Sequence, residues 1–266
     1  IKTVYLVSSQ KFSNDNQLLI VFSDISKLKT LEKMREDFIG NVSHELRTPI
    51  SVIKANSETL LSTKLIKDEN AINFTKAIQS QSERMATIVN ELLSISSMES
   101  GDYPISLDKL NIKNIVDSAI KELNPMTESS NIKLVNKISD MTHIIGDESA
   151  VKIIISNYIT NAIKHSPNDE IIEIDIEKID KDFCRIKVID NGIGIAKKYR
   201  DRVFERFFRV DKGRSKKIGG TGLGLSISKN LALMMGYSVG VESNEPKGSI
   251  FFIDVKIYQE TSKEVA

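Results

Sequence analysis

The apolar residues of this chain change their period near Pro104, and that change limits what each part can fold into. Before it, Leu28, Leu31, Phe38, Val42, Ile53 and Leu60 recur at helical intervals, which predicts a long, interrupted amphipathic helix. A polar break at 62–68 precedes a second helical run. There Met85, Ile88, Leu92 and Ile95 step by three, four and three residues, a narrow seam suited to helix-on-helix packing. Gly101 and Pro104 stop it. Two such helices form a hairpin whose apolar stripes need a cover. A second hairpin completing a four-helix bundle supplies one and predicts a homodimer; folding against the chain's own next domain is the alternative.

After Pro104 strands and helices interleave. Residues 105–110 read as a strand, and Asn111 can cap a helix bearing Ile112, Ile115, Val116, Ile120 and Leu123. Strands are expected near 131–138 and 143–146, then a helix over 148–164 with Asp147 at its mouth. Residues 171–179 and 183–190 alternate and read as paired strands; a helix from about Leu223 to Met235 and strands near 238–243 and 249–257 close the chain. Without regular βαβ alternation, an α+β sandwich is favoured over a doubly wound sheet. At the other end, 4–7 and 18–22 are short strand-like runs around the polar turn 13–16, a hairpin with no core of its own. They read as the last strands of an upstream domain.

Composition narrows the function classes. The 266 residues leave room for two modest domains, and 40% hydrophobic with 27% charged residues is an ordinary soluble balance. A formal charge of +1 gives no pull toward nucleic acid or a membrane surface. The single cysteine, Cys184, excludes an internal disulfide framework and a cysteine-built zinc cage, and histidines at 44, 143 and 165 spell no metal cluster. No apolar run approaches the roughly 18 residues of a membrane span. The chain begins at Ile1, without methionine or a signal-like segment, which predicts a soluble piece of something longer.

Four segments carry chemistry. Asn41-Val-Ser-His-Glu-Leu-Arg-Thr-Pro49 joins an imidazole, an adjacent carboxylate and a hydroxyl one helical turn on. Imidazole is a good nucleophile that is mostly neutral near pH 7. On a helix His44 and Thr48 share a face, and Pro49 should bend the helix just past the histidine. Asn157, Asn161 and Lys164 fall on one face of the helix over 148–164, apart from the stripe of Ile154, Ile155 and Ile159. Amide oxygens and an ammonium in a row suit a divalent cation and a polyphosphate.

Asp190-Asn-Gly-Ile-Gly194 follows a strand and puts a carboxylate where it can accept from an exocyclic amine while the chain turns closely. Gly219-Gly-Thr-Gly-Leu-Gly-Leu225 introduces a helix, so its backbone amides can approach phosphates. It lacks the Gly-Lys-Ser/Thr of a Walker loop and opens no βαβ unit. Before it, Arg209, Lys212, Arg214, Lys216 and Lys217 face only Asp211, a basic segment able to close over a triphosphate.

In this order the segments resemble the boxes of a sensor histidine kinase of two-component signalling. Ser43 to Pro49 is similar to its H box, Asn157 to Ser166 to its N box, and Asp190 to Gly194 to its first glycine box. Phe204-Glu-Arg-Phe-Phe-Arg209 resembles the F box and Gly220 to Leu225 the second glycine box, so the likeness covers about 28–257. The opening strands resemble the exit of a PAS sensor domain.

The resemblance implies 1–26 as the end of a PAS-like domain, 27–103 as a dimerisation and histidine-phosphotransfer hairpin, 104–260 as an ATP-binding α+β sandwich, and 261–266 as a tail. It implies His44 as phosphoacceptor and Glu45 as the base for the imidazole's far nitrogen, with Thr48 serving a response-regulator phosphatase activity. Asn157 would bind Mg²⁺, and Asn161 and Lys164 would touch the phosphates of ATP. His165 would border the nucleotide, and Asp190, with Gly192 and Gly194, would hold the adenine amino group. Arg209, Gly220, Thr221, Gly222, Leu223 and Gly224 would assist at the triphosphate. The implied partners are a second copy and a response-regulator receiver domain, with no nucleic acid and no membrane contact in this stretch. The implied location is the cytoplasmic portion of a membrane-anchored protein. Ala150, Ile153 and Pro246 depart from common family choices, at positions that carry no phosphate or metal contact. An ATPase of the same superfamily and a dimer that signals by nucleotide binding alone are the rival readings.

Overall fold

A computed structural model describes residues 3–11, 18–62, 68–168, 170–210 and 220–259. The polar turn at 13–16, most of the break at 62–68, the tail and the basic cluster Lys212, Arg214, Lys216 and Lys217 lie outside the described residues. Two compact units form, Ile1–Ala86 and Thr87–Ala266.

In the first unit β1 (Tyr5–Lys11) pairs antiparallel with β2 (Leu18–Asp24). Ser26 joins this ribbon to α1 (Ser26–Ser62): its hydroxyl accepts from Val4 N–H at 2.8 Å, and its own N–H donates to Asp24 at 2.9 Å. The predicted interruption of α1 is not there. The helix runs through Pro49, which costs the one hydrogen bond its missing N–H would have made to Glu45, while the ring itself is buried. Helix α2 (Asp68–Ser100) follows.

The division between the units falls inside α2. Leu92, Ile95 and Met98 belong to the core of the second unit, so the C-terminal part of the predicted hairpin seam packs on the chain's own α+β domain. Gly101, at φ +81°, ends the helix, and the N–H groups of Asp102 and Tyr103 both donate to Ser97 O at 3.0 and 3.1 Å.

In the second unit β3 (Asp108–Asn111) is shorter than predicted, because Ser106 N–H is drawn to Asp147 Oδ2 at 3.0 Å instead of a ladder. It pairs with β5 (His143–Gly146). Asn111 caps α3 (Ile112–Thr127) and Asp147 caps α4 (Glu148–His165), each side chain accepting an N–H three residues on. The main sheet has the order β4-β6-β7-β9-β8, with β4 (Lys133–Asn136), β6 (Ile171–Lys178), β7 (Phe183–Asp190), β8 (Ser238–Ser243) and β9 (Ser249–Lys256). Among the described residues, only the β4–β6 pair of this sheet is parallel.

Alternation on β7 buries Cys184, Ile186, Val188 and Asp190, and on β9 Ser249, Phe251, Ile253 and Val255. This face meets Ile154, Ile155, Ile159 and Tyr158 of α4 and Leu231 of α5 (Gly224–Met234) in one core. Burial pushes the Cys184 thiol up to about 11. The result is the two-layer α+β sandwich expected, preceded by the helical hairpin.

Candidate functional site

Period-two alternation makes Asp190 the last inward residue of β7, so a carboxylate ends a row of core side chains. It is 3% exposed, and its Oδ1 accepts from Gly192 N–H at 2.8 Å and Ser249 N–H at 3.1 Å. Burial raises its pKa above the usual carboxylate range, against the pull of those two bonds. The turn beyond it rests on the end of α4, where Ile193 N–H donates to His165 O at 3.3 Å. A Cβ at Gly192 would meet that same oxygen at 2.6 Å, so only glycine lets the turn sit there. From the β8–β9 connection, Asn244 donates to Asp190 O at 3.0 Å and Gly248 packs against that oxygen. Neither Asn244 nor Ser249 was singled out from the sequence. Ile193, Ile195, Asn244 and Pro246 line an open cleft of about 340 Å³ on this side.

The row on α4 meets the glycine-rich segment. Asn157 donates through its amide nitrogen to Gly224 O at 3.0 Å and Ser228 Oγ at 3.1 Å. With the nitrogen committed to two acceptors, the oxygen is the atom left for a cation. It faces the bare Cα of Gly224, whose absent Cβ would stand 3.1 Å from it. Lys164 Nζ approaches Gly220, 4.0 Å from where a Cβ would be, and Arg209 Nη1 donates to Gly220 O at 3.0 Å. Thr221 Oγ1 accepts from Leu223 N–H at 3.2 Å, and Leu223 itself is fully buried at the start of α5. Gly222, at φ +76°, lies against the backbone of Phe207, whose N–H donates to Gly222 O at 2.9 Å. Asn161 is half-buried on the same helix, and the His165 side chain is exposed at its end. The second unit thus gathers Asn157, Lys164, Arg209 and the 220–224 backbone at one place, with the Asp190 turn held to the end of α4.

In the first unit His44, Glu45 and Thr48 all lie on α1. The His44 side chain is outside the described part of the structure. Glu45 Oε2 pairs with Arg84 Nη2 of α2 at 3.0 Å, both side chains about a quarter exposed, and Thr48 is exposed. Arg84, 39 residues away, carries no signal in the sequence. Among the described residues no cluster of histidine, cysteine and acidic side chains could hold a metal, and no helix is long and apolar enough to cross a membrane.

Fold and site define an α+β sandwich with a glycine-rich segment facing one helix, joined to a helical hairpin that carries a histidine. Comparison with known proteins makes this specific. Residues 146–259 match the family model for histidine kinase-, DNA gyrase B-, and HSP90-like ATPases, and 34–101 match that for the His Kinase A (phospho-acceptor) domain. The chain is 34% identical to the sensor-like histidine kinase SenX3 of Mycolicibacterium smegmatis over 92% of its own length and 64% of that protein's. It is 33% identical to the sensor histidine kinase WalK of Bacillus subtilis over 87% of this chain and 38% of that one. The histidine kinase ThkA, solved in complex with response regulator protein TrrA, shares the fold, with a TM-score of 0.66 and 20% identity, covering 95% of this chain and 74% of that one. The chain belongs to the sensor histidine kinases of two-component systems. It spans between about two fifths and two thirds of the length of these curated relatives.

Proposed function

We propose that this chain is the catalytic core of a dimeric sensor kinase that moves the γ-phosphoryl of ATP onto His44 and from there to an aspartate of a response regulator. The observation that carries the proposal is the convergence of Asn157, Lys164, Arg209 and the 220–224 amides, with buried Asp190 beside them, in a chain whose α1 also bears His44. Asp190 accepts from the adenine amino group. Gly192 and Gly194 let the turn approach the base, and His165 borders it. Asn161, Lys164 and Arg209 draw the phosphates to the helix N-terminus behind Thr221, Gly222, Leu223 and Gly224.

The residues fit Mg²⁺: Asn157 offers an amide oxygen beside a glycine that leaves it room. When bound, the ion would neutralise charge on the phosphates. Glu45 takes the proton from the far imidazole nitrogen, the near nitrogen's lone pair attacks the γ-phosphorus, and the bond from that phosphorus to the β,γ-bridging oxygen breaks, so that ADP leaves. Arg84 fixes where that carboxylate points when the hairpin is paired as seen here. Thr48, exposed one turn beyond His44, positions water for dephosphorylating the regulator.

Exposed Ile39, Ile50 and Ile72 support a second hairpin as cover, making the four-helix bundle of a homodimer. Residues 27–103 then form the dimerisation and phosphotransfer domain and 104–260 the ATP-binding domain. Residues 1–26 are the exit of a PAS-like domain in a longer protein anchored in the membrane, with 261–266 as a tail. γ-Labelled ATP should leave an acid-labile label on the chain and none on His44→Gln. A label that survives the substitution removes His44 from its role. Free phosphate without labelled protein favours the ATPase reading.

A further inference from the structure

The face of α2 that packs in the second unit is not uniformly apolar. Glu91, Ile95 and Glu99 follow one another at i, i+4 and i+8 and form one stripe. Ile95, at its centre, is 1% exposed in the core. Glu99, at its outer end, pairs with Arg206 in the segment leading to Arg209. Glu91, at its inner end, hydrogen-bonds Thr221 and is attracted to Lys164. Its Oε2 is buried with no hydrogen-bond partner among the described residues.

A carboxylate is an expensive group to enclose beside a glycine-rich loop unless cations or N–H groups meet it. Burial does push the Glu91 carboxyl above the usual carboxylate range, against the hydrogen bond from Thr221 and the charge of Lys164. The groups it meets are the ones that, on the reading above, face the phosphates of ATP: the ammonium of Lys164 and the hydroxyl of Thr221. An apolar residue here would bury α2 equally well. The acid instead matches the loop's charge as a phosphate oxygen would.

We propose that Glu91 is an internal occupant of the phosphate subsite, so that docking of this α2 face and binding of a nucleotide's phosphates exclude one another. The proposal rests on the assignment of Lys164 and Thr221 to the triphosphate. Its device is a latch: Ile95 supplies the grip, Glu99 holds the Arg206 segment, and Glu91 fills the anion position until phosphates displace it. Nucleotide loading then frees the C-terminal part of α2 from the ATP-binding domain, and that freedom is what a signal passed along the helix would control.

Removing the competing charge while keeping the side chain's shape isolates the effect. Glu91→Gln should bind Mg-ATP about fivefold more tightly than the unsubstituted chain in calorimetric titration, the gain expected if the latch is closed in about four molecules of five. Adenosine, which has no phosphate, should bind both chains equally. Equal ATP affinities overturn the latch and leave the nucleotide site standing, and so does an equal gain for adenosine. Failure of both chains to bind either compound overturns the site assignment itself and the latch with it. Hydrogen exchange on the unsubstituted chain gives a second reading independent of how the variant folds. Amides over 88–98 should exchange faster with Mg-ATP than with adenosine, and identical protection overturns the proposal.

Discussion

The two units spend their isoleucines differently. In the second, Ile154, Ile155, Ile159, Ile172, Ile174 and Ile186 are all fully buried between one sheet face and its helices. In the first, Ile39, Ile50 and Ile72 are about half exposed on two helices, and Val4, Leu6, Val7 and Phe22 stand out from a two-stranded ribbon. A sheet with helices on one face closes its own core. A helix pair and a lone ribbon do not, and they leave apolar surface for something else to cover. The second unit therefore closes its own core, and the first leaves apolar surface that the proposed pairing of hairpins would cover.

The largest effect that tests this contrast is a truncation in each unit. Ile186→Ala opens a cavity beneath β7 and should cost about 2–5 kcal/mol of the second unit's stability, read by urea unfolding. Ile50→Ala, already 49% exposed, removes little packing within one chain. Its effect should be within about 0.5 kcal/mol on the isolated chain and should grow only with protein concentration, as the hairpins pair. A loss at Ile50 as large as at Ile186, and independent of concentration, would break the comparison.

Glycine substitution sharpens it with opposite signs. At Gly248, φ is +132° and an added Cβ would stand 1.9 Å from Asp190 O. Alanine there should cost about 1–3 kcal/mol and weaken adenine-nucleotide binding, because the backbone that carries Asp190 must shift. At Gly40, on α1, an added Cβ meets nothing within 4 Å. Alanine there should stabilise the helix by about 0.5–1 kcal/mol and leave nucleotide affinity alone. Thermal unfolding and a nucleotide titration on both variants decide the matter, and a loss at both positions would refute the contrast.

Local physics made much of this legible in the chain. Asn111 and Asp147 are short acceptors three residues ahead of an amide that needs one, and both caps are where that rule puts them. Asn157, Asn161 and Lys164 share a face because helical spacing fixes it. What stayed hidden depends on long-range pairing. Ser249 N–H reaches Asp190 because β9 lies beside β7, a register that no local pattern states. Ser228 meets Asn157 across two helices for the same reason. The seam of Met85, Ile88, Leu92 and Ile95 was readable as apolar, but periodicity does not say which surface covers it. The structure gives Leu92 and Ile95 to the second unit. Glu91, immediately before Leu92 in sequence, reads as one more solvated acid until its neighbours are known.

The smallest expected effect is a pH dependence that differs in sign between the units. Asp190 is raised above its ordinary 3.8 by burial, so its contribution to stability is fully present below that value and is lost as pH rises through the higher folded pKa. Asp24, the last residue of β2, is lowered from 3.8 by hydrogen bonds from the Ser26 side chain and backbone. Its contribution is present above 3.8 and is lost as pH falls through the lower folded pKa. Asp190→Asn removes the first dependence: between about pH 3 and about pH 7 the variant should gain on the unsubstituted chain as pH rises. Asp24→Asn should do the reverse, losing ground as pH rises, by a small amount because Asp24 is fully exposed. Denaturant unfolding followed separately in each unit distinguishes them. Parallel slopes for the two variants would mean that enclosure in the second unit and exposure in the first are not what sets these acids apart.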